Sequence, residues 1–132
     1  MSAYIIIDGY NVLYWLKEKL QKELNRDSLI SLLGRLHRKE KLIVVFDSKQ
    51  SNLFLFSVKE SSSGVKIIFT EPDKSADEKI EELVRKSKNP QNITVVSNDR
   101  GLHRRVRSYH AKVCFVDNFL KPIFEEKKKI KD

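Results

Sequence analysis

Apolar residues fall in two rhythms along this chain. Continuous, mostly β-branched runs occur at Tyr4–Ile7, Leu42–Phe46, Val65–Phe69, Ile93–Val96 and Lys112–Val116. Their length and composition suit strands covered on both faces, which are apolar throughout rather than alternating. Between most of them the period changes to three or four. Val12, Leu16, Leu20 and Leu24 recur every four residues, and Leu29, Leu33 and Leu36 resume the pattern after a break at Asn25–Asp27. Ala76, Ile80, Leu83 and Val84 stripe a third segment, Leu102 and Val106 a fourth. Such spacing buries one side of a helix. Helices alternating with buried strands predict a three-layer α/β domain around a central, mainly parallel, five-stranded sheet.

Two stretches stand outside the pattern. Ser48–Gly64 has no helical stripe; Leu53–Phe56 is apolar and Ser61–Gly64 reads as a turn. It is either a loop or an extra strand in a hairpin with Val65–Thr70. From Phe119 a short helix gives way to Lys127–Lys129, Ile130 and Lys131. One domain is therefore expected over residues 1–126, with 127–132 a basic tail that frays.

Charge narrows the class of partner. Lys and Arg number 26 against 18 Asp and Glu, a formal net charge of +8. That excess favours a polyanion, nucleic acid ahead of a membrane surface, although a lysine-rich surface also serves solubility alone. The single cysteine, Cys114, lies in an apolar run and cannot form an internal disulfide, which fits a reducing compartment. The opening MSAYIIID meets Asp8 too early for a secretion signal, and no run approaches membrane-spanning length, so a cytoplasmic location is expected.

Against this basic background the acids are placed with a pattern. Asp8, Asp47, Asp99 and Asp117 each end an apolar run, and Asp73, Asp77 and Glu78 follow the third. In an open parallel sheet all those ends lie on one edge, where ligands bind. Carboxylates gathered there repel one another unless something compensates, and a divalent cation such as Mg²⁺, which takes a few carboxylates and keeps several waters, is the economical answer. Singly, each acid has a structural reading. Asp99 can cap the helix after it, Asp8 can make a turn with Gly9, and Ser75 with Glu78 has capping-box spacing. The cap leaves Asp77 unexplained. Beside the acids, Arg100, Arg104 and Arg107 recur at i, i+4 and i+7 on one helix face, and Lys49 and Lys74 follow strand ends closely enough to extend a cationic patch. A solvated helix face would look the same. Acids for a metal-bound water and cations for a phosphate backbone are together what phosphodiester cleavage needs.

Four blocks carry a likeness: IIIDGYNVL at 5–13, IVVFD at 43–47, SADEKIEELV at 75–84 and VVSNDRGL at 95–102. In this order and spacing the chain resembles the NYN branch of the PIN-like nuclease superfamily, and most of all its bacterial YacP-like members. The resemblance covers nearly the whole sequence. It implies a PIN-like Rossmannoid sheet and metal-dependent cleavage of RNA, expected to be internal, with Mg²⁺ or Mn²⁺ as cofactor and RNA as partner, mRNA presented on the ribosome being one form of it. Carried over by position, it implies that Asp8, Asp77 and Asp99 hold the metal. Asn11 would lie near the site, touching metal-bound water or substrate or only capping the first helix. Asp47 would be a supporting acid, and Ser97 and Asn98 would orient Asp99 or meet a phosphate. Asp117 is a weaker candidate. The departure from the family pattern is Leu53–Phe56, where a small polar loop is expected; it bears on substrate access or on an apolar partner contact.

Other readings meet specific obstacles. A haloacid-dehalogenase phosphatase needs a second aspartate two residues after the first, but position 10 is Tyr. A receiver domain wants paired acids after the first strand and a lysine after the fifth, where Gly9 and Asp117 stand. No phosphate-binding glycine loop is present. His37, His103 and His110 lack metal-ligand spacing and read as surface or packing residues, with His103 a minor candidate for substrate contact. The rival of another class is a non-catalytic RNA- or ribosome-binding module on the same fold; a toxin paired with an antitoxin is a further variant.

Overall fold

A computed structural model describes residues 3–36, 40–48, 57–60 and 64–122. Strands β1 (Tyr4–Asp8), β2 (Lys41–Phe46), β3 (Ser57–Glu60), β4 (Lys66–Phe69), β5 (Ile93–Val96) and β6 (Lys112–Cys114) form one sheet in the order β3-β4-β2-β1-β5-β6. Five are parallel, and β3 pairs antiparallel with β4 at one edge. Helices α1 (Gly9–Leu20), α2 (Arg26–Leu36), α3 (Ala76–Lys86) and α4 (Arg100–Arg107) lie between them. A further helical segment occupies residues 116–122.

The apolar strands produce this arrangement directly. On β1, Ile5 and Ile7 face one side and Ile6 the other, all buried. Ile5 and Ile7 join a cluster with Val12 and Leu16 of α1, Leu29 and Leu33 of α2, and Val116 and Leu120. Ile6 joins Ile80 and Val84 of α3 and Leu102 and Val106 of α4. The sheet is thus covered on both faces, which gives the three layers and explains why β1 and β2 at its centre are apolar along most of their length. Each fully buried aliphatic side chain contributes about 1.5–3 kcal/mol.

The expected five parallel strands are present, and the doubtful segment supplies a sixth in the hairpin arrangement with β4. The last strand is shorter than its apolar run: it stops at Cys114, and Val116 begins helix instead. Asp117 therefore belongs to that helix and not to a strand tip. Helix α1 also stops short, because Gln21 takes a left-handed conformation at its end, leaving Leu24 outside. Asn25 caps α2 by accepting from the Ser28 N–H at 2.9 Å. Lys49, Leu53–Phe56, His37 and the basic tail lie outside the described residues.

Strand β1 runs into α1 with no connecting loop, and Gly9 makes this possible. A Cβ there would lie 2.5 Å from the Phe46 ring and 3.0 Å from the Val45 carbonyl oxygen of the neighbouring strand. Gly9→Ala is expected to cost about 1–3 kcal/mol, read as a lower urea midpoint at unchanged slope. An unchanged midpoint would mean that the Phe46 ring yields freely and the close approach carries no constraint.

Candidate active site

The chain winds from β1 to β2 and β4 on one side, then returns to β5 on the other side of β1. This reversal opens a crevice at the carboxyl ends of β1 and β5, the usual ligand position in such sheets. A pocket of about 250 Å³ lies on that edge, lined by Asp8, Asp47, Asp77 and Asp99 together with Asn11, Tyr10, Tyr14 and Ser75. Four carboxylates separated by up to 91 positions in the chain therefore face one space.

Each of the three outer acids is held differently. Asp8 is half-buried at the β1–α1 junction; its Oδ2 accepts from the Ser97 hydroxyl at 3.2 Å. Burial pushes its carboxyl from 3.8 up to about 6, against hydrogen bonds from Ser97 and the Asn11 backbone N–H, and the charges of Asp77 and Asp99 push the same way. Asp77 accepts from the Ser75 hydroxyl and is paired through Oδ2 with the Arg105 guanidinium at 3.0 Å. Asp99 caps α4: its Oδ1 accepts from the N–H groups of Gly101 at 2.9 Å and Leu102 at 3.2 Å. Its Oδ2 makes no hydrogen bond among the described residues.

Hydrogen bonds knit the floor together. Ser97 is fully buried, donating to Asp8 and accepting from the Asp99 N–H at 3.1 Å, so its hydroxyl orients both acids and faces no solvent. Asn11 accepts from the Asn98 N–H at 2.9 Å, tying α1 to the turn after β5, and the Asn98 side chain accepts from Val116 N–H at 2.9 Å. Asp47 lines the pocket from the end of β2.

The basic residues divide. Arg100, Arg104 and Arg107 are exposed on α4, whose Leu102 and Val106 are buried beneath. Arg100 and Asn98 line a neighbouring cleft rather than the acid pocket. Lys74 turns to Glu82, 2.8 Å away, which also binds Lys86 at 2.8 Å and Lys79 at 3.5 Å. Hydrogen bonds from Lys74 and Lys86 hold the Glu82 carboxyl down near 2, so Lys74 is committed to α3. His103 is buried, with Nε2 2.6 Å from the Ser97 carbonyl oxygen and its ring against Phe115; it is a packing residue, and substrate contact is excluded by its burial. Among the described residues, the exposed Asp73 and Asp117 do not reach the acid pocket.

Arg105 and the two tyrosines escape a reading of the sequence. Arg105 reaches from α4 to Asp77 and, at 3.2 Å, to Glu81. In the sequence it is one cation among four, and only the packing of α4 beside α3 singles it out. Tyr10 and Tyr14 stack with ring centroids 5.7 Å apart along the pocket wall. Their i, i+4 spacing was the available signal.

The pocket's donors are carboxylate oxygens, the chemistry that suits Mg²⁺ or Mn²⁺. No trio of acid, histidine or cysteine side chains among the described residues is assembled around a single point, because Asp77 is drawn to Arg105 and Asp99 to the helix cap. The donor set fits such an ion in kind; Asp8, burdened by burial and by two like charges, would gain most from one.

The family described as YacP-like NYN domain matches residues 5–132. Among solved structures, Rae1 (YacP) from Bacillus subtilis in a single-residue mutant form is similar with a TM-score of 0.73 at 22% identity, covering 99% of this chain and 80% of that one. A second Rae1 (YacP) structure from the same organism gives 0.70 at 23% identity, covering 97% and 77%. No curated protein sequence matches significantly. Among the described residues no helix is long and apolar enough to cross a membrane.

The raised pKa of Asp8 has a consequence for stability. A carboxyl easier to protonate in the folded state than its usual 3.8 destabilises the fold as it ionises, so the deficit develops between pH 4 and 6 and is full above 6. Asp8→Asn removes it and is expected to raise the melting temperature at pH 8, by the equivalent of up to about 3 kcal/mol, with the gain vanishing below pH 4. An equal gain at pH 3.5 and pH 8 would mean that ionisation of Asp8 is not the cause.

Proposed function

The chain belongs to the YacP-like NYN domain family, and from that membership and its acid pocket we propose that it is a metal-dependent ribonuclease that hydrolyses phosphodiester bonds within RNA. The observation that carries the proposal is the meeting of Asp8, Asp77 and Asp99 in one pocket on an otherwise cationic protein. Three carboxylates facing a polyanion are a liability for a molecule that only binds it.

In this reading Asp8, Asp77 and Asp99 hold Mg²⁺ or Mn²⁺, which when bound supplies an activated water and screens charge on the phosphate. The remaining work falls to the chain itself. Ser97 fixes Asp8 and the backbone of Asp99 through one hydroxyl. Asn11 fixes the Asn98 backbone, setting the height of the turn that carries Asp99. Arg105 holds Asp77 by an ion pair at the pocket edge, and Asp47 adds negative potential from β2. Arg100, Arg104 and Arg107 draw the backbone of the RNA along α4. A binding module without catalysis is the second reading, and the engagement of Asp77 with Arg105 and of Asp99 with the helix cap is what favours it.

Incubation with RNA plus and minus Mn²⁺ separates the two. Asp99→Asn keeps a capping oxygen for α4, since Asn caps as well as Asp, yet loses an anionic ligand. Cleavage is expected in the wild type with Mn²⁺ and to fall to the no-metal level in Asp99→Asn at an unchanged melting temperature. Metal-independent cleavage, or full activity in the variant, defeats the assignment. Arg104→Glu is expected to weaken RNA binding and to flatten its dependence on salt by about one unit of log–log slope; an unaltered slope would put the phosphate path on another face.

A further inference from the structure

Helix α1 carries aromatic and cationic side chains along two lines that both start at the acid pocket. Tyr10 and Tyr14 run along one, with Lys17 Nζ 5.9 Å from the Tyr14 ring centre. Asn11, Trp15 and Lys19 run along the other at i, i+4 and i+8, with Lys19 Nζ 5.6 Å from the Trp15 ring centre. The second line borders a separate cleft of about 510 Å³, completed by Phe115, Arg100, Asn98 and Asp117. Asn98 forms the wall between the two spaces, since its N–H is bonded to the Asn11 side chain of the acid pocket.

The exposure of aromatic rings here needs a reason. Among the described residues the large hydrophobic side chains left exposed are Tyr14 (51%) and Phe115 (38%). One lies at each cleft. Phe115 is not a mobile ring: it packs on His103, with centroids 4.6 Å apart, and His103 is fixed to the Ser97 carbonyl. One side of Phe115 is thus built into the structure while the rest meets solvent beside Trp15. Aromatic rings next to cations, in a groove alongside a phosphate-handling site, are the chemistry that takes up unpaired nucleobases by stacking. Paired bases in a duplex are already stacked and offer no face to the groove.

We propose that this cleft is a nucleobase subsite, receiving an unpaired base of the RNA strand beside the phosphate held at the acid pocket. Trp15 and Phe115 supply the stacking surface, and Arg100 and Lys19 hold the flanking phosphates at the rim. Asp117 accepts from a donor on the base edge, such as an exocyclic amino group, because a carboxylate there repels phosphate and has only acceptors to offer. A duplex, whose bases are already paired and stacked, has no base to place in this cleft. The subsite rests on the RNA-cleavage reading but adds a contact which that reading does not require.

Trp15 is the only tryptophan in the sequence, so its fluorescence reports on this cleft alone. Wild-type protein is titrated in EDTA with a short single-stranded RNA and with the same sequence as a duplex, while a labelled copy reports binding by anisotropy. Saturable quenching by the single strand, with clearly less by the duplex, is expected. Phe115→Ala and Trp15→Ala should each bind the single strand about 5- to 150-fold more weakly, and Trp15→Phe, which keeps a ring, should recover much of the loss. Circular dichroism confirms that each variant is folded, and the wild-type titration stands if one is not. Binding with no change in Trp15 emission, equal quenching by duplex, or full affinity in a folded Phe115→Ala variant overturns the subsite and leaves cleavage intact. Absence of both RNA binding and Mn²⁺-dependent cleavage overturns the two together.

Discussion

The burial of one carboxylate, Asp8, at the carboxyl end of β1 with Asp77 and Asp99 lining the same pocket is the constraint on which the site depends. The three acids carry their charge in different ways. Burial and like charge move Asp8 towards its neutral form near pH 6. Arg105 takes up the charge of Asp77. The free N–H groups of α4 take up part of the charge of Asp99, with Gly101 and Leu102 as donors. Each of these also sets how readily the oxygen in question would turn to a cation. Asp8 is the least compensated, Asp99 keeps one oxygen unbonded among the described residues, and Asp77 would have to give up a guanidinium to meet an ion. Such an arrangement holds the acids close without letting the fold collapse around them, a standing conflict between stability and site of the kind common at functional positions.

The parallel sheet makes that conflict local. Because β1 is flanked by β2 and β5, which belong to opposite directions of winding, the carboxyl edge of the sheet brings the ends of β1, β2 and β5 together with the starts of α1, α3 and α4, and the acids lie there. Gly9 removes the loop that would otherwise separate Asp8 from α1. Ser97, with no exposed surface, replaces solvent as the partner of Asp8. The rigidity of the floor thus comes from the core, whereas the cations that would meet a polyanion sit on the outer face of α4, where salt and water reach them.

Much of this was legible in the sequence. Apolar runs located the strands, and four-residue periods located the helices, because burial on two faces and on one face leave different repeats. Acids at the ends of those runs located the edge, since parallel topology brings all such ends together. What the sequence could not disclose was tertiary pairing. Arg105 meets Asp77 across 28 positions only because α4 lies beside α3, and Lys74 is drawn to Glu82 by a geometry of α3 that spacing alone does not fix. Asp117 was misplaced for a different reason: an apolar run continues through Val116, but the strand ends at Cys114, Phe115 is exposed between the two elements, and Val116 is buried as helix. Apolar character reports burial, and burial is common to both.

The separation of charge has a further consequence for how a polyanion could approach. A net charge of +8 favours the approach of a polyanion, and the acid pocket opposes it where the proposed chemistry would occur. Contacts that do not depend on charge, such as the base stacking proposed above, would resolve the contradiction. Tyr14 on one side of the pocket and Trp15 with Phe115 on the other offer stacking surfaces, whose attraction is not weakened by nearby carboxylates. Helix α1 therefore does more than cover the sheet. Its buried face, through Val12 and Leu16, fixes it to β1, and the two flanks left over carry rings to either side of Asp8. A strand of RNA held by those rings would cross the acids because it is anchored on both sides of them, with the cations of α4 supplying range and the aromatic residues supplying position.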